Sequence, residues 1–304
     1  MGPRYALSGL TLDSDSVLDG VARADGETQP GWRLRWLPSR RIESSRVRLL
    51  RRPGVPISVM WPEVGAFEII PRTRTLRCRP APGAGREMLL SVLLGPVLSH
   101  LLLLEGSFPI HASAVEIGGC AAAFFGPPGA GKSTVAAALF LAGHPVITED
   151  LLAVTWHRDE PYAHPSVPEI RLWPGSGRRL LGGAFHRLPR VVPTASKRRI
   201  DPAAGWGRFS SRPAPLGRLY ELVPARVRRP SIEPLGARDA WRALMRNRYN
   251  LWPQSVETQA RQLDALARLA GAAPGRRLIV PRAMRDPAHL VPLIRRDLRA
   301  GHDD

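Results

Sequence analysis

The chain has 304 residues, 44% of them hydrophobic, and a formal net charge of +18. That composition excludes a disordered or fibrous chain and allows two compact units, each with its own core. Two widely separated cysteines, Cys78 and Cys120, exclude a disulfide framework or a cysteine metal cluster and fit a reduced, cytoplasmic setting.

Residues 1–105 are expected to form a β-rich region that ends in an apolar helix. The opening MGPRYALSGL has no basic stretch followed by an apolar one, so no secretory signal is expected. Residue 6 is Ala where a myristoylation pattern needs Ser or Thr. Short apolar pieces (RVRLL, ISVMW, FEIIP and TLRCR) separated by Pro, Gly and charge read as strands. The run MLLSVLLGPVLSHLLLL, 88–104, nearly reaches bilayer length. Gly95-Pro96, His100 and the flanking Glu87 and Glu105 instead predict a buried core helix, kinked near Pro96, and no membrane span.

Residues 106–225 read as an α/β phosphate-loop core. FPIHASAVEIGGCAAAFFG predicts a β-hairpin turning at Gly118-Gly119 and feeding a glycine-rich loop. A helix over 132–142 follows, with Gly143 just past its end. PVITEDLLAVTW predicts one strand running on through the acidic pair Glu149-Asp150, and PEIRLWP another. Residues 174–216, rich in Gly, Pro, Ser and Arg, are expected to be long loops, and GRLYELVP a strand. Residues 226–304 are expected to be mainly helical, with helices over 237–247, 255–271 and 287–298 and the strand RRLIVP between the last two.

The chemistry is concentrated in FFGPPGAGKSTVAAALF, 124–140. Gly126, Gly131, Lys132 and Ser133 satisfy the phosphate-loop spacing G-x-x-x-x-G-K-[ST]. Curled backbone amides and a helix N-terminus attract phosphate, lysine reaches the terminal phosphates, and the serine hydroxyl joins Mg²⁺. The predicted nucleotide contacts are Gly126, Gly129, Ala130, Gly131, Lys132, Ser133 and Thr134, with ATP and Mg²⁺ as cofactors. Lys132 and Lys197 are the chain's lysines; its other basic residues are arginines. A compact ammonium fits between phosphate oxygens where a planar guanidinium does not, which explains a lysine retained in the loop.

Motor-type ATPases place an acid at the end of a strand well downstream. Here RLYELVP and RRLIVP offer no such end, and the acidic pair Glu149-Asp150 directly follows the loop helix. That position suits a kinase, in which a carboxylate orients or deprotonates the acceptor. His111, at the start of the hairpin, is a candidate for the same site.

These residues in this order resemble the catalytic domain of the HPr kinase/phosphorylase family over about 70 residues, 107–173: the strand-opening His111, the glycine turn, the phosphate loop, a helix ending in Gly143-His144, the acidic pair, and Glu169-Ile170-Arg171. The resemblance implies a P-loop core of the HPr kinase type. It implies that Lys132 and the loop hold ATP, that Ser133, Glu169 and Asp150 serve Mg²⁺, and that the acidic pair supplies the base with His111 close by. The family's usual pair is Asp-Asp; here it is Glu149-Asp150, with Asp150 favoured and Glu149 left open. The family's glycine-rich segment after E-I-R is not reproduced, LWPGSGRR standing there, so the resemblance does not carry over HPr as the acceptor and leaves the reverse reaction open. The N-terminal region looks more like that of stand-alone relatives, some of which resemble kinases acting on precursor peptides such as lasso peptides.

The expected partner is therefore a protein or peptide acceptor bearing a serine or threonine, acidic in view of the net charge. Lys197 and Arg198, in the basic segment 187–199, are candidate substrate or phosphate contacts. A small-molecule kinase of the same fold, or a nucleotide-regulated nucleic-acid binder, are the alternatives. The arginines are spread along the chain rather than gathered in one arm, which weighs against nucleic acid. A homo-oligomer is compatible with everything above.

Overall fold

The computed structural model describes residues 2–24, 31–52, 54–249, 252, 254–282 and 284–300. The chain divides into two compact units, 1–107 with 250–253, and 108–249 with 254–304.

The first unit carries a seven-stranded sheet in the order β1-β2-β3-β7-β6-β5-β4. Its strands are β1 (Arg4–Leu7), β2 (Leu10–Ser14), β3 (Trp32–Trp36), β4 (Arg48–Leu50), β5 (Ile57–Trp61), β6 (Gly65–Ile70) and β7 (Thr75–Pro80). In β6, GAFEII, every second residue is buried, the signature of a sheet with one face in a core. Buried Leu34, Val59, Phe67, Ile69 and Leu76 supply that core. Burial of Cys78 pushes its thiol up to about 12 despite the nearby Arg86 charge, so this cysteine is a packing residue.

The apolar run forms α1 (Arg86–Val92) and α2 (Leu98–Leu104), joined by a π-helical turn over Leu93–Val97. The cause is Pro96, which has no N–H to give to the helical ladder. This continuous 86–104 element is the one described helix long and apolar enough to cross a membrane, and 67% of its most apolar 18-residue window is buried. The ion pairs Arg86–Asp19 and Arg74–Glu105 flank it.

The second unit is built on a nine-stranded sheet. β8 (Ile110–Ile117) and β9 (Cys120–Phe125) pair antiparallel and are closed by Gly118-Gly119, both at positive φ, as a two-residue hairpin turn requires. β16 (Ala214–Ala225) runs parallel to β9 on one side and to β18 (Gly275–Pro281) on the other. Alternation along the strands separates two cores. Ala122, Phe124, Tyr220 and Leu278 pack with α3 (Lys132–Leu141) and α7 (Leu290–Arg299). Ala121, Ala123, Phe125 and Leu219 pack with α5 (Ala237–Arg246) and α6 (Val256–Ala272). The result is an α/β/α sandwich, and the alanines of CAAAFF let helices approach both faces of β9.

Three expectations change. The boundary at 225/226 is absent: β18 lies beside β16 within the sheet, and α5, α6 and α7 cover its two faces. The strand expected over 145–156 breaks into β10 (Val146–Thr148), β11 (Leu151–Leu152) and β12 (Val154–His157). The break falls on Glu149-Asp150, where the Ser113 hydroxyl donates to the Glu149 carbonyl (2.8 Å) and the Thr148 hydroxyl to the Leu151 carbonyl (2.9 Å). Local side-chain bonds to the backbone replace the strand ladder there. Finally, the expected loops of 174–216 contain α4 (Pro174–Leu181), two 3₁₀ turns and β15 (Arg198–Ile200), which pairs with β14 (Ile170–Leu172). Pro174 stands at the first position of α4, where its missing N–H costs nothing.

Candidate functional site

The loop 126–131 leaves the C-terminal end of β9 and enters α3. Gly126 has φ 149°, and a Cβ there would lie 2.8 Å from the Leu222 carbonyl oxygen of β16, so only glycine fits this crossing. Gly131, at φ 104°, is the residue from which α3 starts. Among the described residues, the amides of Gly129, Gly131, Lys132, Ser133 and Thr134 have no backbone partner. Two other predicted contacts are already engaged. The Ala130 amide donates to the Pro127 carbonyl (3.0 Å) and the Gly126 amide to Asn247 Oδ1 (3.1 Å). Thr134 donates to Ser176 Oγ (2.8 Å), which ties the first turn of α3 to α4.

Lys132 is buried. Its Nζ donates to the Gly126 carbonyl (2.8 Å) and reaches that of Pro127 (3.4 Å). Burial lowers its pKa, while Asp150 and Glu149 partly offset the effect. An ammonium whose hydrogen-bond partners among the described residues are loop carbonyls, beside open space over Gly129 and Gly131, suits an anionic ligand.

The bend between β10 and β11 sets the two acids apart. β10 and β11 both pair with β8, with Thr148 opposite Ala114 and Leu151 opposite His111. Glu149 is buried and accepts a hydrogen bond from the Ser133 hydroxyl. Burial first, and then the neighbouring Asp150 charge, raise its pKa to about 7, against the Ser133 bond and the charges of Arg171 and Lys197. Asp150 meets His111, with Nδ1 to Oδ1 at 3.0 Å. Burial pushes the Asp150 carboxyl up, but the His111 hydrogen bond and charge, with Arg171 and Lys197 beyond, outweigh it and hold the carboxyl below its ordinary value. One acid is thus fitted to the loop serine, and its neighbour is an ionised carboxylate beside an imidazole.

Glu169, expected at Mg²⁺, is instead engaged by Arg171, whose Nε is 2.6 Å away. Among the described residues no contact joins Glu169 to Ser133, and no group of three or more His, Cys, Asp or Glu is arranged to hold a metal. A divalent cation that keeps waters and phosphate oxygens needs only one or two protein ligands, and Ser133 with Glu149 provides such a pair. Lys197 lies 5.1 Å from the centre of the Trp173 ring, and its charge is felt at Lys132, Glu149 and Asp150. Arg198 is committed elsewhere: it donates to the Leu188 carbonyl and lies over the Phe185 ring.

Two residues of the site had no sequence signal. Asn247 follows α5, and its buried side chain reaches back to Gly126. Tyr249 has its ring 5.9 Å from that of His111. Burial, the Asp150 charge and a hydrogen bond to Asp150 raise the pKa of its phenol.

No protein-family model matches the chain, and no curated protein matches it. Among solved structures, the Hpr(Ser) kinase/phosphatase from Coxiella burnetii is similar at 14% identity over 64% of this chain and 99% of that chain, with a TM-score of 0.37.

Proposed function

We propose that this protein is an ATP-dependent phosphotransferase acting on the hydroxyl of a serine or threonine in a protein or peptide. The observation that carries this reading is the division of labour in the bend: Glu149 is bonded to the phosphate-loop serine, and the adjacent Asp150 to His111. A motor-type site would look for its acid on the strand beside β9. The acid on that strand, Glu221 of β16, is engaged by Arg246 (3.0 Å) and Arg277 (3.5 Å).

When bound, Mg·ATP supplies the transferable phosphoryl group and a divalent counter-charge. The amides of Gly129, Gly131, Lys132, Ser133 and Thr134 would cradle its phosphates, and the Lys132 ammonium would turn from loop carbonyls to phosphate oxygens. Ser133 and Glu149 would hold the cation. Asp150, kept ionised by His111, would orient the acceptor hydroxyl and take its proton as that oxygen bonds to the γ-phosphorus, while the bond from that phosphorus to the bridging oxygen breaks and ADP leaves. Lys197 faces the same field and holds the acceptor side electropositive, which favours acidic sequence around the accepting residue. The resemblance to peptide-tailoring kinases makes precursor peptides with a terminal serine natural acceptors to try.

The test is transfer from radiolabelled ATP to serine and threonine peptides, acidic and neutral, in parallel with hydroxyl metabolites. Peptide labelling that is abolished in Lys132→Ala and Asp150→Asn is expected. Full transfer by Lys132→Ala would remove the mechanism, and labelling of metabolites alone would assign a small-molecule kinase.

A further inference from the structure

Asn247 makes four hydrogen bonds in the centre of the second unit. Its side-chain oxygen accepts from the Gly126 amide at 3.1 Å, and its side-chain nitrogen donates to the Ala243 carbonyl at 2.8 Å. Its own amide donates to the Leu244 carbonyl at 2.9 Å, and its carbonyl accepts from the His111 amide at 2.7 Å. One buried residue therefore joins three pieces of chain that are remote in sequence: the end of α5, the first residue of the phosphate loop, and the residue of β8 that faces Asp150. The next residues repeat the connection to β8. Tyr249 donates from its amide to the Pro109 carbonyl at 3.0 Å, and Arg248 bridges Ile110.

A phosphate loop usually offers its amides to the ligand. Here the Gly126 amide is withdrawn from that role, while the Gly126 carbonyl holds Lys132 Nζ. The bond from the Gly126 amide to Asn247 Oδ1 fixes the peptide plane that precedes the cradle. A side-chain amide does this without adding charge beside an anionic ligand, as aspartate would.

We propose that Asn247 is a positioning residue, which locks the entry of the phosphate loop to the strand that carries His111 and so sets nucleotide affinity. The inference rests on the reading of the loop as a nucleotide site. It predicts a specific pattern in the wild-type protein: when Mg·ADP is added, the amides of Gly129, Gly131 and Lys132 shift as they take up phosphate, while the Gly126 amide keeps its partner and stays protected from hydrogen exchange.

The experiment uses the full chain, with Mg·ADP as probe, calorimetry for affinity and stoichiometry, and amide resonances for the loop. Asn247→Ala is expected to weaken Mg·ADP about tenfold with stoichiometry still near one, because the loop entry is no longer held in its binding geometry. Arg248→Ala removes that side chain's bonds to the Met245 carbonyl and Gln262 and loosens the same turn without touching the loop; its affinity is expected to be unchanged. Equal losses in the two variants would mean a merely structural turn and would overturn the inference. So would unchanged affinity in Asn247→Ala. Should Asn247→Ala not fold, the wild-type amides decide: a Gly126 amide that moves with its neighbours onto phosphate overturns it. A wild-type chain that does not bind Mg·ADP at all defeats the nucleotide reading itself, and this inference with it.

Discussion

His111 and Asp150 come together through strand pairing. Leu151 is the partner of His111 across β8 and β11, and Asp150, one residue earlier in the bend, has Oδ1 3.0 Å from His111 Nδ1. If Asp150 is the acceptor-side base, Asp150→Asn lowers phosphoryl transfer by roughly 10²–10⁴-fold, the range for a lost general base, and leaves Mg·ADP affinity nearly unchanged. His111→Gln removes the imidazole that holds the Asp150 carboxyl low. Its acidic limb should therefore move to higher pH, with a smaller drop in rate at neutral pH. A pH–rate profile of both variants checks this; an acidic limb unmoved in His111→Gln would separate His111 from Asp150 function.

The buried Lys132 places its Nζ against two loop carbonyls, those of Gly126 and Pro127. Lys132→Ala is expected to lose roughly ten- to a hundredfold in Mg·ATP affinity, as for a hydrogen bond to a charged group. Lys132→Arg should not restore it, because the planar fork cannot enter the same space. Calorimetric titration of both variants tests the pair, and binding regained in Lys132→Arg would show that charge alone suffices.

What could be read from the residues was local. The hairpin glycines, the glycine-rich loop and the helix after it depend on short-range spacing, and the structure has that strand, loop and helix where the spacing put them. The acidic pair was legible, but its separation into two environments was not. That depends on Ser113 and Thr148 hydroxyls capturing backbone carbonyls, a competition that apolar periodicity does not encode. Glu169 stands at a readable motif position, but its contact with Arg171, two residues on, was not part of that reading. Asn247 and Tyr249 act across more than a hundred residues of sequence, and nothing in ALMRNRY marks them. The loops expected over 174–216 contain a helix and a strand because packing of Phe185 and pairing of β14 with β15 override weak local propensity.

The first unit carries an acid-sensitive group. His100 of α2 is buried, its ring nitrogens have no hydrogen-bond partner among the described residues, and its ring meets Trp252 edge-on. Burial, with a smaller push from Arg51, lowers its pKa from 6.5 to about 4. A histidine with a depressed folded pKa contributes full stability above 6.5 and loses it as pH falls from there towards 4, because only the unfolded chain gains the proton. His100→Leu, apolar and of similar size, should therefore lose less stability than wild type between pH 7 and 4.5. Denaturant midpoints across that range decide it; parallel curves for the two proteins would place the acid sensitivity elsewhere.

Glu149 titrates with the opposite sign. Its folded pKa is raised from 4.5 to about 7, so the folded chain holds a proton that the unfolded chain has released. Without Mg²⁺ and nucleotide, stability from this group is greatest at acidic pH and declines between about 4.5 and 7, with a full penalty on the order of 3 kcal/mol above that window. The penalty has a functional counterpart: an ionised Glu149 beside Ser133 is the charge that a divalent cation would neutralise. Glu149→Gln should thus melt higher than wild type at pH 8 in a chelator, match it more closely at pH 5, and gain less from added Mg·ADP. Thermal melts at the two pH values, with and without Mg·ADP, measure all three. If the variant and the wild type keep the same difference at both pH values, Glu149 is not the buried acid of the site. If Mg·ADP raises both melts equally, the cation is held without it.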